Sequence, residues 1–335
     1  MKKKILVAVS LMLLMMTATV LAQSNYGTEH ANVHEYSTSV TESGGIEGFT
    51  IVSAGWYADS MYWVTSGDEF LGVVAMINAG NHAGFSAEII LRNDIILPAV
   101  ADIRHRDVRI LGNGFAIGST GANTITVTGG SLTMVNTIVR GNGHGIGAVG
   151  TTVTLENVTL ENNGTYGIFL GSGAALTMDG GSIRNNERTG IRGLPGVTTI
   201  SLNNVAVTDN IHCGISVRSQ TVVNLSGTNI LRNGGNGVTL GDESGTVTLV
   251  MVGGELRYNG IDMPGGNPAS RGLGIRSVNA NITVYHGIIA DNFRGGILET
   301  GILHSQWDFG VNGGAVSISN NIGSGINATR VDIIR

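Results

Sequence analysis

The chain has 335 residues, with 52 Gly, 4 Pro and 13% charged residues. Hydrophobic content of 42% supports a sizeable core, and many Gly without abundant Pro or a strict G-X-Y period excludes collagen. All three Lys lie within the first four residues. Beyond residue 22 the chain carries 16 Arg against 24 acids, a net charge of -8 that argues against a general nucleic-acid binder.

Lys2 to Lys4 form a positive n-region, Ile5 to Met16 a short apolar h-region, and Val20-Leu21-Ala22 a small-residue cleavage site. Residues 1–22 therefore read as a secretory signal peptide of bacterial type, with a mature chain starting at Gln23. No later stretch approaches the ~20 apolar residues of a membrane span. Cys213 is the single cysteine, so an intramolecular disulfide is excluded.

Residues 23–93 read as an acidic leader with a capping helix. Positions 23–91 hold eight acids and no Lys or Arg, together with Trp56 and Trp63. Ser66-Gly67-Asp68-Glu69 is N-cap chemistry, followed by an apolar helical stripe at Phe70, Leu71, Val74 and Ile77. The pairs Glu29-His30 and His34-Glu35 would make a metal site only on a helix, which the surrounding Thr, Ser and Val disfavour. Glu88 to Leu91 and Ile95 to Leu97 read as the first strands.

From residue 94 onward a repeat governs the chain. Gly-Ile or Gly-Val recurs at Gly145, Gly167, Gly190, Gly214, Gly237, Gly274, Gly296 and Gly325, with spacings of 22, 23, 24, 23, 37, 22 and 29. Asn stands four residues earlier at Asn163, Asn186, Asn210, Asn233, Asn292 and Asn321, and an apolar residue precedes each of these by three. Segments such as Thr152-Val153-Thr154-Leu155 alternate with period two, the strand signature. A unit of this length, built of short strands and tight turns, is one coil of a parallel β-solenoid. The Ile column is expected inside, and the Asn column is expected to form a coil-to-coil amide ladder.

Units such as Gly180-Gly181-Ser182-Ile183-Arg184-Asn185-Asn186 with Gly190-Ile191 resemble the generic repeat of the right-handed parallel β-helix superfamily, the pectin-lyase-like fold. The resemblance covers residues 94–335 and implies an all-β solenoid behind an N-terminal capping helix. Lyases, hydrolases, adhesins and inert stalks share that fold, so it carries no single function. The unit at residues 313–321 is also similar to repeats of autotransporter passengers. No comparable cap follows the last coil: either the chain is cut short there, or the coil meets a partner, or Arg330, Asp332 and Arg335 alone blunt the edge.

Gly143-His144-Gly145 is similar to the Gly-His-Gly of polygalacturonases, but the Asn-Thr-Asp and Asp-Asp that supply acid and base in that family are missing. His144 falls in a variable column and reads as a turn residue. If each Ile points inward, the next residue faces outward. That column includes Arg192 and Arg276, with Arg218 in the outward column two positions on, a set suited to an anionic glycan. No Asp or Glu cluster joins them, so no metal site is expected.

The two long spacings read as insertions at 259–271 and 300–312 flanking this face. Trp307, Asp308 and Phe309 in the second are candidates for sugar contact, or for a plug beneath their own loop. The leading expectation is an exported, non-catalytic, adhesin-like protein that binds glycans or cell surfaces without a cofactor. The alternative is a polysaccharide lyase or glycoside hydrolase acting on an anionic polysaccharide, with Arg276 as base, and only the lyase form of it leaves room for Ca²⁺.

Overall fold

The computed structural model describes residues 34–38, 49–53 and 60–334, apart from 81–85, 219, 243–244, 261–271, 301–304 and 328–330. The export segment, Trp56, the Glu29-His30 pair and most of the first insertion lie outside the described residues. Residues 34 and 35 belong to a described strand, whose side chains are not described.

Period-two alternation becomes three parallel sheets wound into a solenoid. A representative coil runs through Thr199–Asn203 in the first sheet, Ala206–Thr208 in the second and Ile215–Val217 in the third. Each strand pairs in parallel with its counterpart one coil on, as in Ile200↔Val223, Val207↔Ile230 and Ile215↔Val238. The inward column Ile146, Ile168, Ile191, Ile215, Val238 and Ile275 is fully buried, as period two requires.

At the start, α1 (Gly67–Ala79) covers the open end of the solenoid. The Ser66 hydroxyl accepts a hydrogen bond from the Glu69 N–H at 3.2 Å, and the Glu69 carboxylate reaches back to the Thr65 N–H at 2.6 Å. Phe70, Val73, Val74 and Ile77 are buried, at the i, i+3, i+4, i+7 spacing of one helix face. Asn78 ties the helix to the first coils, donating to the Asp102 carbonyl at 2.6 Å and accepting from the Arg104 N–H at 2.9 Å. Ahead of it, His34–Thr38, Phe49–Ser53 and Ser60–Val64 pair antiparallel in sequence, and Ser60–Val64 then begins the parallel first sheet.

Two corners hold the coils in register. Between the first and second sheets, Asn157 is left-handed with φ 52°, and a Cβ placed on Gly180 in the next coil would lie 2.4 Å from its Oδ1. Gly180 itself has φ 66°, so glycine answers both the backbone and the close approach. The other corner carries the amide ladder. From Asn186 onward, each Asn Oδ1 accepts from the side-chain and backbone N–H groups of the Asn one coil before it. The Asn163→Asn186, Asn186→Asn210, Asn210→Asn233 and Asn292→Asn321 side-chain bonds measure 2.8, 2.8, 2.9 and 3.1 Å.

Asn259 also belongs to this ladder, joining Asn233 to Asn292 through bonds of 3.0 Å on each side. The repeat pattern missed it because the insertion separates it from its glycine, Gly274. The ladder thus continues through Asn259, and the added chain follows it.

The segment containing Trp307 differs from a protruding loop. Ser305–Phe309 is a strand of the first sheet, with Trp307 paired to Ile282 and Asp308 to Thr283. Trp307 points inward and is fully buried, and its indole N–H donates to the Ala280 carbonyl at 3.2 Å. Phe309 is partly buried against the same core, edge-on to Trp307 at 6.3 Å. Part of the added length lies at the next corner. Inward positions of the first and second sheets are seven residues apart in Ile282/Ile289 and eleven in Trp307/Ile318, with a 3-10 turn at Val311–Gly313 between.

Candidate functional site

The outer face of the third sheet brings together side chains that sequence spacing keeps about one coil apart. Pairing aligns Gly147, Phe169, Arg192, Ser216, Thr239, Arg276 and Leu298 in one outward column. Beside it, at the turn entering each strand, stand His144, Tyr166 and Cys213.

At one end of this face three rings pack together. His144 stacks on Tyr166 at 5.1 Å and on Phe169 at 5.0 Å between ring centroids, and Tyr166 lies 5.9 Å from Phe169. The His144 Nδ1 is hydrogen-bonded to the Thr165 hydroxyl. His144 is therefore part of an aromatic platform, which its variable column did not reveal. The signal lay in two columns read together: Tyr166 and Phe169 flank the same strand start, one coil from His144.

Beyond the platform the face turns cationic. Arg192 is half-buried and donates to the Ser216 hydroxyl one coil on, and Arg218 is exposed just past the end of the Ser216 strand, Ile215–Val217. Arg276 follows in the Arg192 column, and Arg188 stands on the adjoining turn. Among the described residues none of these four has a carboxylate partner, whereas Arg104, Arg109, Arg140, Arg184, Arg232 and Arg257 each do. Burial, then the charge of Arg218, lowers the Arg192 pKa from the ordinary guanidinium value. Burial likewise raises the Cys213 thiol, keeping it neutral, and its sulfur lies 3.5 Å from the Thr239 hydroxyl.

Trp307, Asp308 and Phe309 do not join this face, since they belong to the first sheet. Trp307 is buried, and the Asp308 carboxylate accepts from the Gln306 amide at 3.4 Å. A separate concavity of about 310 Å³ lies on the corner after the second sheet, lined by Arg232, Tyr258, Asn259, Asp291, Phe293 and Ile322. Its charges are neutralised: Arg232 grips Asp209 with two bonds of 2.8 Å, and Arg257 grips Asp291. Among the described residues no three His, Cys, Asp or Glu side chains gather as metal ligands.

His144 and His212 give the face a pH dependence. Burial, then the charge of Arg188, lowers both from the usual 6.5. The unfolded chain then binds these protons more readily, so stability falls as pH drops through 6.5 towards the folded values and is intact above 6.5. NMR titration is expected to place both imidazoles below 6.5, and His144→Phe, which keeps a stacking ring, flattens part of the acid slope. A His144 midpoint at or above 6.5 contradicts the described packing.

With parallel pairing and three sheets per coil established, the comparison with known families falls on the middle of the solenoid. Residues 123–259 match the family described as a right handed beta helix region. The chain folds as a right-handed parallel β-helix. No curated protein matches the sequence. Among solved structures, this β-helix is similar to pectate lyase Pel9A, at 13% identity and a TM-score of 0.43 over 77% of this chain and 73% of that one. It is also similar to a mutant of the periplasmic alginate epimerase AlgG, at 10% identity and 0.36 over 83% and 86%. The Azotobacter vinelandii mannuronan C-5 epimerase AlgE6 A-module matches at 13% identity and 0.33 over 83% and 89%. These likenesses concern the fold.

Proposed function

We propose that the third-sheet face binds an anionic polysaccharide laid along the solenoid, in an exported protein that holds its ligand without turning it over. The observation that carries this reading is the set Arg188, Arg192, Arg218 and Arg276, unpaired with carboxylates and adjoining the His144/Tyr166/Phe169 platform. Guanidinium forks suit carboxylate and sulfate oxygens, and aromatic faces suit the C–H face of a sugar ring. Among the described residues, the arginine-rich part of the face pairs with no carboxylate. Export rests on residues 1–22, and display on a cell surface as an adhesin belongs to the same reading.

A second reading, a polysaccharide lyase, is favoured by one observation. Arg192, held half-buried beside Arg218, gives up its proton more readily than an ordinary guanidinium. On this reading the base is Arg192 rather than Arg276. The mature protein incubated with polygalacturonate, alginate and sulfated glycans, with and without Ca²⁺, separates the readings. Binding without unsaturated product is expected. Product formation abolished by Arg192→Ala establishes the lyase, and absence of binding to every anionic glycan overturns both.

A further inference from the structure

Arg192, Arg218 and Arg276 come from three different coils, yet they address one small area. Arg192 leans one coil forward to the Ser216 hydroxyl, and Arg218 leaves the same strand as Ser216. Arg276 lies two coils beyond Ser216 in the aligned column, about 10 Å along the solenoid axis at the usual strand spacing. An extended Arg side chain covers much of that span. Both Arg192 and Arg276 act electrostatically on the Cys213 thiol, which sits between them. The hydroxyls of Ser216 and Thr239 complete the floor, with Thr239 held by the Asn236 amide at 3.1 Å.

A planar carboxylate offers two oxygens and is satisfied by a single guanidinium fork. Three cations on one patch call for a group with more oxygens pointing in more directions. We infer that the area over Ser216 and Thr239 is a subsite for a tetrahedral oxyanion ester, sulfate or phosphate, carried on a glycan whose sugar ring lies against the Tyr166/Phe169 platform. The inference rests on the proposal that this face binds anionic polysaccharide. The sugar backbone supplies ring contacts and the ester supplies charge, so neither half alone accounts for the site.

The test uses the full mature chain at constant ionic strength, with calorimetry against a chondroitin sulfate oligosaccharide and an oligogalacturonate of equal net charge. The sulfated ligand is expected to bind at least about tenfold more tightly. Arg276→Ala is expected to weaken the sulfated ligand by a larger factor than the oligogalacturonate, so that the preference is lost. Inorganic sulfate and phosphate should compete where acetate does not, and a phosphorylated glycan of equal charge then tells which ester is preferred. Equal affinity for the two oligosaccharides overturns the tetrahedral subsite and leaves the polysaccharide reading standing. Failure of both to bind removes the polysaccharide reading itself.

Discussion

Replacing Asn210 by alanine is expected to destabilise the β-helix by about 4 kcal/mol, the larger of the stability effects anticipated here. Asn210 is fully buried, and its Oδ1 accepts from the Asn186 side chain and backbone at 2.8 and 3.2 Å. Its Nδ2 donates to the Ile183 carbonyl at 3.1 Å and to the Asn233 Oδ1 at 2.9 Å. Truncation strands polar groups on both neighbouring coils where water does not reach, and each such group costs roughly 1–3 kcal/mol. Asn210→Asp keeps the shape but replaces the donor with an oxygen facing two acceptors, so the loss should be similar at neutral pH and smaller in acid. Chemical denaturation reads both variants, with Asn203→Ala as the exposed control. A change of less than about 1 kcal/mol in Asn210→Ala would mean that the ladder is decoration rather than support.

The double variant Arg192→Ala/Arg218→Ala is expected to lose about a hundredfold in affinity for an anionic glycan at low salt. Hydrogen bonds to charged groups contribute roughly 1.5–3 kcal/mol, and 2.7 kcal/mol is that factor. Each single variant should lose about tenfold, because the remaining guanidinium still pairs with the ligand. Raising ionic strength should narrow the gap between wild type and variant, since exposed charges are screened beyond a Debye length of about 8 Å at physiological salt. Stability should hold or rise, because Arg218 works against the charge on Arg192 in the free protein. Unchanged affinity in a well-folded double variant would detach the third-sheet face from ligand binding.

The solenoid was legible because its rules are local. Period-two alternation, Gly at left-handed corners and Asn at fixed spacing each reflect a demand repeated in every coil. Interruption hid what repetition disclosed. Asn259 keeps its ladder bonds to Asn233 and Asn292, but the insertion moved its glycine out of register with it. Trp307 misled for a related reason. Added length reads as a loop, whereas strand pairing with Ile282 pulls the indole into the core and displaces the extra residues to corners.

The functional face was half legible. Outward columns followed directly from period two and placed Arg192, Arg218 and Arg276 on one side. The His144/Tyr166/Phe169 platform depends on lateral neighbours across two columns and two coils, which a column read alone does not display. The absence of carboxylate partners for the same arginines is likewise a property of three-dimensional pairing. Arg184 and Arg232 lie in the same repeats yet are gripped by Glu161 and Asp209.

Footprinting of surface side chains with and without a bound anionic oligosaccharide tests the central claim most directly. Protection is expected at Tyr166, Phe169, Arg192 and Arg276, with none at Tyr258, Phe293 or Ile322 on the neighbouring corner. Protection confined to that corner, or to the first sheet, would contradict the assignment of the third-sheet face.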